Sequence, residues 1–210
     1  MNYIPQYAND IFLKVSDYKE IEIDENCLNL MFAGNLGEMQ SVETLIRAME
    51  IVNFENIKMH ILGDGSNKEK LIQLVKELDL VEKVIFHGRK PIEMMPSYYK
   101  KADGLIVSLK KDEIISYTLP GKVQSYLASE KPIIASIDGE TARVVNDAKC
   151  GLVSQAEDVK ALAKNFDLFA NMGEKTRKQL GENGQRYYKE NFTRKIFVDS
   201  LVEDLEGVVK

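Results

Sequence analysis

LIVSLKKDEIISYTLPGKVQSYLASEKPIIAS, residues 105–136, decides the fold. The run at 105–108 and the run ending at Ser136 are apolar and short, the pattern of strands buried on both faces. Between them lie a polar loop and a helix that opens on Pro120-Gly121-Lys122. Proline is pre-organised for a helix start and needs no amide partner there. Strand, loop, helix and strand in this order place a loop and a helix N-terminus at the carboxyl end of a parallel strand, where open α/β sheets bind ligands.

The same alternation continues on both sides. LNLMFA at 28–33 predicts a buried strand ending at Gly34, and Val42, Leu45, Ile46, Met49 and Val52 recur at helical spacing. Ile57–Leu62 is a second strand, closed by Gly63-Asp64-Gly65, with Ser66 as N-cap of a helix that buries Leu71, Leu74, Val75 and Leu78. A third strand at 84–86 ends at His87-Gly88-Arg89, and a helix through Met94, Met95, Tyr98 and Tyr99 follows. After Ser136 come a short helix at 139–147, a strand at 151–153, a helix at about 158–170 and an amphipathic helical tail at 175–188 and 193–208. Repeated βα units predict an α/β protein: a Rossmann-like parallel sheet with helices on both faces.

Composition narrows the function. The chain has 210 residues, 44% hydrophobic and 29% charged, with a net charge of −5. That is ordinary for a globular protein, and the acidic balance argues against nucleic acid as a partner. Cys27 and Cys150 lie far apart with no CxxC spacing, so reduced thiols are expected rather than a disulfide framework or zinc site. No run approaches the ~20 apolar residues of a membrane span. The start, MNYIPQYANDIF, has no basic region followed by an apolar run and reads as a linker. The expected location is the cytoplasm. The motifs of hydrolases, P-loop ATPases and dinucleotide enzymes are absent from the sequence.

Two clusters carry chemistry on their own residues. In GNLGEMQ, Gly34 and Gly37 can make a turn or bring backbone amides to a diphosphate at a helix N-terminus. Lys122 stands in the first turn of its helix, where a cation is unfavourable unless an anion binds beside it. It is either that anion's partner or a solvated lysine. His60 and His87 have no further ligand at metal spacing and read as structural. Asp64 reads as a turn and cap residue.

FAG at 32–34 with its GNLGEMQ loop, HILGDGS at 60–66, VIFHGRKP at 84–91, MPSYYKKADGLIVSL at 95–109 and LPGKVQSYLASEKPIIAS with DGE at 138–140 together resemble one family. They are similar, in order and spacing, to the carboxyl-terminal domain of GT-B glycosyltransferases of the group 1 (glycosyltransferase 4) type. The GN-x-G-x-x-Q loop resembles the bacterial subgroup that transfers sugars such as fucosamine in surface-polysaccharide assembly. The resemblance implies one half of a GT-B fold: residues 1–26 a linker, 27–190 the nucleotide-sugar-binding domain, and 191–210 a helix packing toward an absent amino-terminal acceptor domain. Membrane contact, if any, is expected through that absent half.

It also implies roles. Gly34, Asn35, Gly37, Gln40 and Gly63 border the donor diphosphate, with Asn35 and Gln40 where many members carry a basic pair. Lys122 stabilises the leaving group. Arg89 borders the nucleobase. Ser116, Thr118 and Leu119 lie toward phosphate or sugar, and Glu140 of the DGE turn faces the donor. The family's E-x7-E pair falls on Tyr117 and Ser125, so Ser125 offers one hydroxyl where a glutamate ordinarily holds the ribose. The implied reaction is retaining transfer from a UDP-linked sugar to a glycan or lipid-linked acceptor, with no cofactor or metal expected, and this chain alone is expected to bind donor without turning it over. A UDP-sugar 2-epimerase fragment of the same type and a non-catalytic nucleotide-binding or structural module stand as alternatives.

Overall fold

The computed structural model describes residues 6–13 and 21–209. Six strands form one parallel sheet: β1 (Leu28–Ala33), β2 (Ile57–Leu62), β3 (Val84–Gly88), β4 (Gly104–Ser108), β5 (Ile133–Ser136) and β6 (Gly151–Ser154). Their order across the sheet is β3-β2-β1-β4-β5-β6. The helices are α1 (Val42–Ile51), α2 (Lys68–Glu77), α3 (Met95–Lys101), α4 (Glu113–Ser116), α5 (Gly121–Ala128), α6 (Gly139–Asp147), α7 (Val159–Ala170), α8 (Glu174–Asn191) and α9 (Arg194–Val209).

Period-two alternation splits each strand between two cores. Leu30, Phe32, Met59, Ile61, Ile106 and Ile134 face α1, α2 and α7, against Leu45, Met49, Val75, Leu162 and Phe166. Met31, Ala33, Leu105, Val107, Ile133 and Ala135 face the other way, against Tyr99, Val123, Tyr126, Val144 and Tyr188. β1, β4 and β5 are buried throughout, whereas the edge strands β3 and β6 are mostly half-buried. That explains why the central strands read as unbroken apolar runs.

The register pairs Phe32 with Ile61 on one side and with Ile106 on the other. Because β1 leads outward to β2 and the chain later returns to β4 on its other flank, a crevice opens beyond the carboxyl ends of β1 and β4.

Two local expectations are corrected. Ser66 does not cap α2: the helix begins at Lys68 with Asn67 at the N-cap and no side-chain cap bond. The stretch after β4 is not all loop, since Asp112 accepts a bond from the Ile115 amide at 2.9 Å and starts the single turn of α4.

The linker reading of residues 1–26 falls partly outside the described residues. Within them, Ala8 is buried, a 3-10 turn spans Asp10–Leu13, and Phe12 stacks on Tyr99 with centroids 5.5 Å apart. On α9, Val198, Leu201, Val202 and Leu205 stand exposed. No helix among the described residues is long and apolar enough to cross a membrane.

His60 and His87 form a polar chain with Asn29. His60 Nδ1 lies 2.8 Å from His87 Nε2, and His60 Nε2 lies 2.9 Å from Asn29 Oδ1. Asn29 donates its amide to the carbonyls of Asp24 and Cys27, so its oxygen accepts from His60. Neutral His60 then carries its proton on Nε2, and His87 donates to its Nδ1. Burial pushes the His60 pKa down to about 4 and lowers that of His87 as well.

Candidate functional site

The crevice is built from four chain segments that sequence separates widely. Gly34 and Asn35 leave β1, Gly63 and Asp64 leave β2, Arg89 follows β3, and Gly121, Lys122 and Ser125 open α5; all line one cavity of about 500 Å³. Gly63 makes the close approach possible. Its φ is +145°, and a Cβ there would stand 1.8 Å from the Gly34 carbonyl oxygen. Only glycine satisfies both conditions.

The glycine loop leaves donors unused. The Gly34 and Leu36 amides donate to the Leu62 and Asp64 carbonyls at 2.9 and 2.8 Å, while those of Asn35 and Gly37 donate to no described residue. The loop is also pinned: Ser108 Oγ donates to the Gln40 carbonyl at 2.6 Å, the Lys110 amide to that of Met39 at 3.0 Å, and Lys110 ion-pairs with Glu38.

This holds the Gln40 side chain over Lys122, whose Nζ donates to Gln40 Oε1 at 2.5 Å. Nζ also sits 4.3 Å from the Phe32 ring centroid, and a Cβ on Gly34 would lie 2.7 Å from it. Among the described residues no carboxylate ion-pairs with this lysine, and burial pushes its pKa down from 10.5 to about 7. A helix N-terminus disfavours the charge further. The arrangement is a cation without a counter-ion among the described residues, at the wall of a cavity edged by the spare Asn35 amide. It would gain its full charge when an anion enters.

Other predicted residues lie differently. Ser125 is buried at the cavity wall, its hydroxyl 3.4 Å from the Gly121 carbonyl. Ser116 and Glu140 line a separate cavity of about 530 Å³ with Tyr117, Gly139 and Arg143. Glu140 is already paired, accepting from Arg143 Nε and Nη2 at 2.8 and 2.6 Å, and Arg143 holds its carboxyl below the usual range. The Thr118 hydroxyl is spent on the Ile115 carbonyl at 2.7 Å, and Leu119 packs on the core. Gly37 lines a third cavity, between α1 and α2, of about 1010 Å³.

Sequence reasoning missed the apolar wall of the 500 Å³ cavity, formed by Phe12, Leu62, Ile92, Met95 and Tyr99. The sequence placed Leu62 at a strand end and Met95 and Tyr99 on a helix, but none of them at the site, and Phe12 and Ile92 carried no signal. Among the described residues no three His, Cys, Asp or Glu side chains gather closely enough to hold a metal ion.

A parallel sheet of this order, with its polar crevice between β1 and β4, is the fold of one half of a GT-B glycosyltransferase. The family model "Glycosyl transferases group 1" matches residues 16–187, and the chain belongs to that family. It is 23% identical over 199 residues to the N-acetyl-alpha-D-glucosaminyl L-malate synthase of Bacillus anthracis, covering 91% of this chain and 50% of that one. A glycosyltransferase from Rickettsia africae ESF-5 superposes with a TM-score of 0.81 at 15% identity, over 99% of this chain and 57% of its own. Anabaena HepE, solved in complex with UDP and glucose, gives a TM-score of 0.76 at 16% identity, over 87% of this chain and 49% of its own. The chain thus spans about half the length of these proteins.

Proposed function

We propose that this chain is the donor-binding half of a retaining glycosyltransferase, taking a UDP-linked sugar for transfer to a glycan or lipid-linked acceptor in cell-surface polysaccharide synthesis. The observation that carries this reading is Lys122, a buried lysine at the carboxyl ends of β1 and β4 that hydrogen-bonds Gln40 and has no carboxylate partner among the described residues. A nucleoside diphosphate supplies the anion that this geometry lacks. The UDP bound in the HepE structure supports the choice of nucleotide, and the GN-x-G-x-x-Q loop supports the polysaccharide role.

In this reading the diphosphate lies against the Asn35 amide and Lys122. As the bond between the anomeric carbon and the diphosphate oxygen breaks, negative charge grows on that oxygen, and Lys122 donates to it. Arg89 meets the nucleoside and Ser125 the ribose. Lysine and amides, rather than a metal, carry the charge. Acceptor binding belongs to a second domain of the longer enzyme, so the 210-residue chain binds donor without turning it over.

Calorimetry with UDP, GDP and UDP-sugars tests the proposal. Saturable UDP binding by the folded chain is expected. No response across the panel would overturn the reading in favour of a non-catalytic module, and measurable sugar transfer by this chain alone would overturn the division of labour.

A further inference from the structure

The cavity at the switch point has two unlike linings. Gly34, Lys122 and Ser125 suit an anion and a sugar, whereas Phe12, Ile92 and Met95 present apolar surface. Phe12 is the outlier, because it comes from a segment outside the sheet and its flanking helices. One face of its ring lies on Tyr99, 13° from parallel, and Tyr99 in turn meets Tyr126 edge-on with centroids 5.3 Å apart. Tyr126 is anchored by its hydroxyl, which lies 3.2 Å from the Ala33 amide at the end of β1. An aromatic ladder therefore runs from the strand that carries the glycine loop out to Phe12. Tyr99 and Tyr126 are buried, and Phe12, half-buried, is the rung that meets the cavity.

The segment is held in place independently of any ligand. Ala8 is 2% exposed, the Tyr7 ring lies 5.3 Å from that of Phe197, and Asp10 faces Arg194 at 4.0 Å. Phe12 is thus positioned as a wall, and a half-exposed ring over a cavity gains most from a flat aromatic partner. A ligand that must satisfy Lys122 and cover Phe12 at once carries both an anion and an aromatic ring.

Resting on the donor reading above, we propose that Phe12 is a specificity-determining residue whose free face stacks on the donor's nucleobase. Stacking of a base on an aromatic ring is tolerant of base identity, so Phe12 sets the preference for a nucleotide over a bare phosphate.

The test measures binding of UDP and of inorganic pyrophosphate to the wild-type chain and to Phe12→Ala, Phe12→Leu and Phe12→Tyr. Phe12→Ala is expected to weaken UDP about tenfold, or ~1.4 kcal/mol, while pyrophosphate affinity stays within about twofold. Phe12→Tyr keeps the ring and is expected to restore UDP. Should Phe12→Ala not fold, Phe12→Leu retains apolar volume without a ring and is expected to show a selective loss of about threefold or more. Unchanged or tighter UDP binding on loss of the ring overturns the proposal, as does an equal loss of both ligands, which marks a merely structural role. Wild type that binds neither ligand refutes instead the donor reading beneath it.

Discussion

UDP binding should weaken steeply as pH rises above 7, and the slope should belong to Lys122. Burial holds its pKa near 7 in the free protein, whereas a diphosphate beside Nζ restores the charged form. Binding therefore takes up a proton. If the charged lysine alone binds, affinity follows its protonated fraction, which is about one half at pH 7 and about 1% at pH 9, so the dissociation constant rises up to about 50-fold. Calorimetry in buffers of different ionisation enthalpy should find about 0.9 proton taken up per UDP at pH 8. Phosphate titration, with a second pKa near 6, adds little there.

His60, His87 and Tyr99 do not confuse the result. His60 and His87 have pKa values pushed below the ordinary 6.5, and that of Tyr99 is raised well above 10. Lys122→Met should bind UDP about tenfold more weakly at pH 7, the worth of one hydrogen bond to a charged group, and should show no pH slope. The unliganded protein should move oppositely. A lysine depressed on folding costs stability below pH 7, a cost relieved as pH rises toward 10.5, and Lys122→Met removes it. A proton uptake below about 0.2 at pH 8, or a slope that survives in Lys122→Met, would refute the reasoning.

Gly34→Ala and Gly63→Ala should separate site from fold. The first meets only the movable end of Lys122 at 2.7 Å, so melting should change by less than about 1 kcal/mol while UDP binding falls about tenfold; the second meets the Gly34 carbonyl at 1.8 Å at a φ of +145° and should cost more than about 3 kcal/mol in urea unfolding. Ser125→Glu should raise UDP affinity several-fold through the ribose hydroxyls, a gain that 2′-deoxy-UDP should not fully show. Acid should destabilise the wild type between pH 6.5 and 4, because His60 is neutral when folded and charges on unfolding. The loss should reach up to about 3 kcal/mol in denaturant midpoints measured across that window, and His60→Gln should flatten that part of the profile.

The sheet and half of the crevice were legible because their causes are local. A strand buried on both faces shows as an unbroken apolar run, which is why β1, β4 and β5 could be placed to within a residue or two. A lysine after Pro-Gly at a helix start is odd in any context, so Lys122 stood out before its surroundings were known. What stayed illegible depends on where loops turn. Gln40 reaches Lys122 from 82 residues away, and nothing in GNLGEMQ distinguishes Gln40, which does so, from Gly37, which lines another cavity. Ser116, Thr118 and Leu119 precede Lys122 in sequence, yet the single turn of α4, too short to show helical periodicity, carries Ser116 to the Glu140 cavity and Leu119 to the core. Phe12 had no signal at all. It acquires a place in the site only because α3 and α5, folded against the sheet, offer Tyr99 as a surface to stack on. The polar half of the site is thus written in the turns that end the strands, and the apolar half in the packing of helices that those turns merely connect. A family pattern built on strand-end motifs will therefore find the phosphate side of such a site and stay blind to its apolar wall.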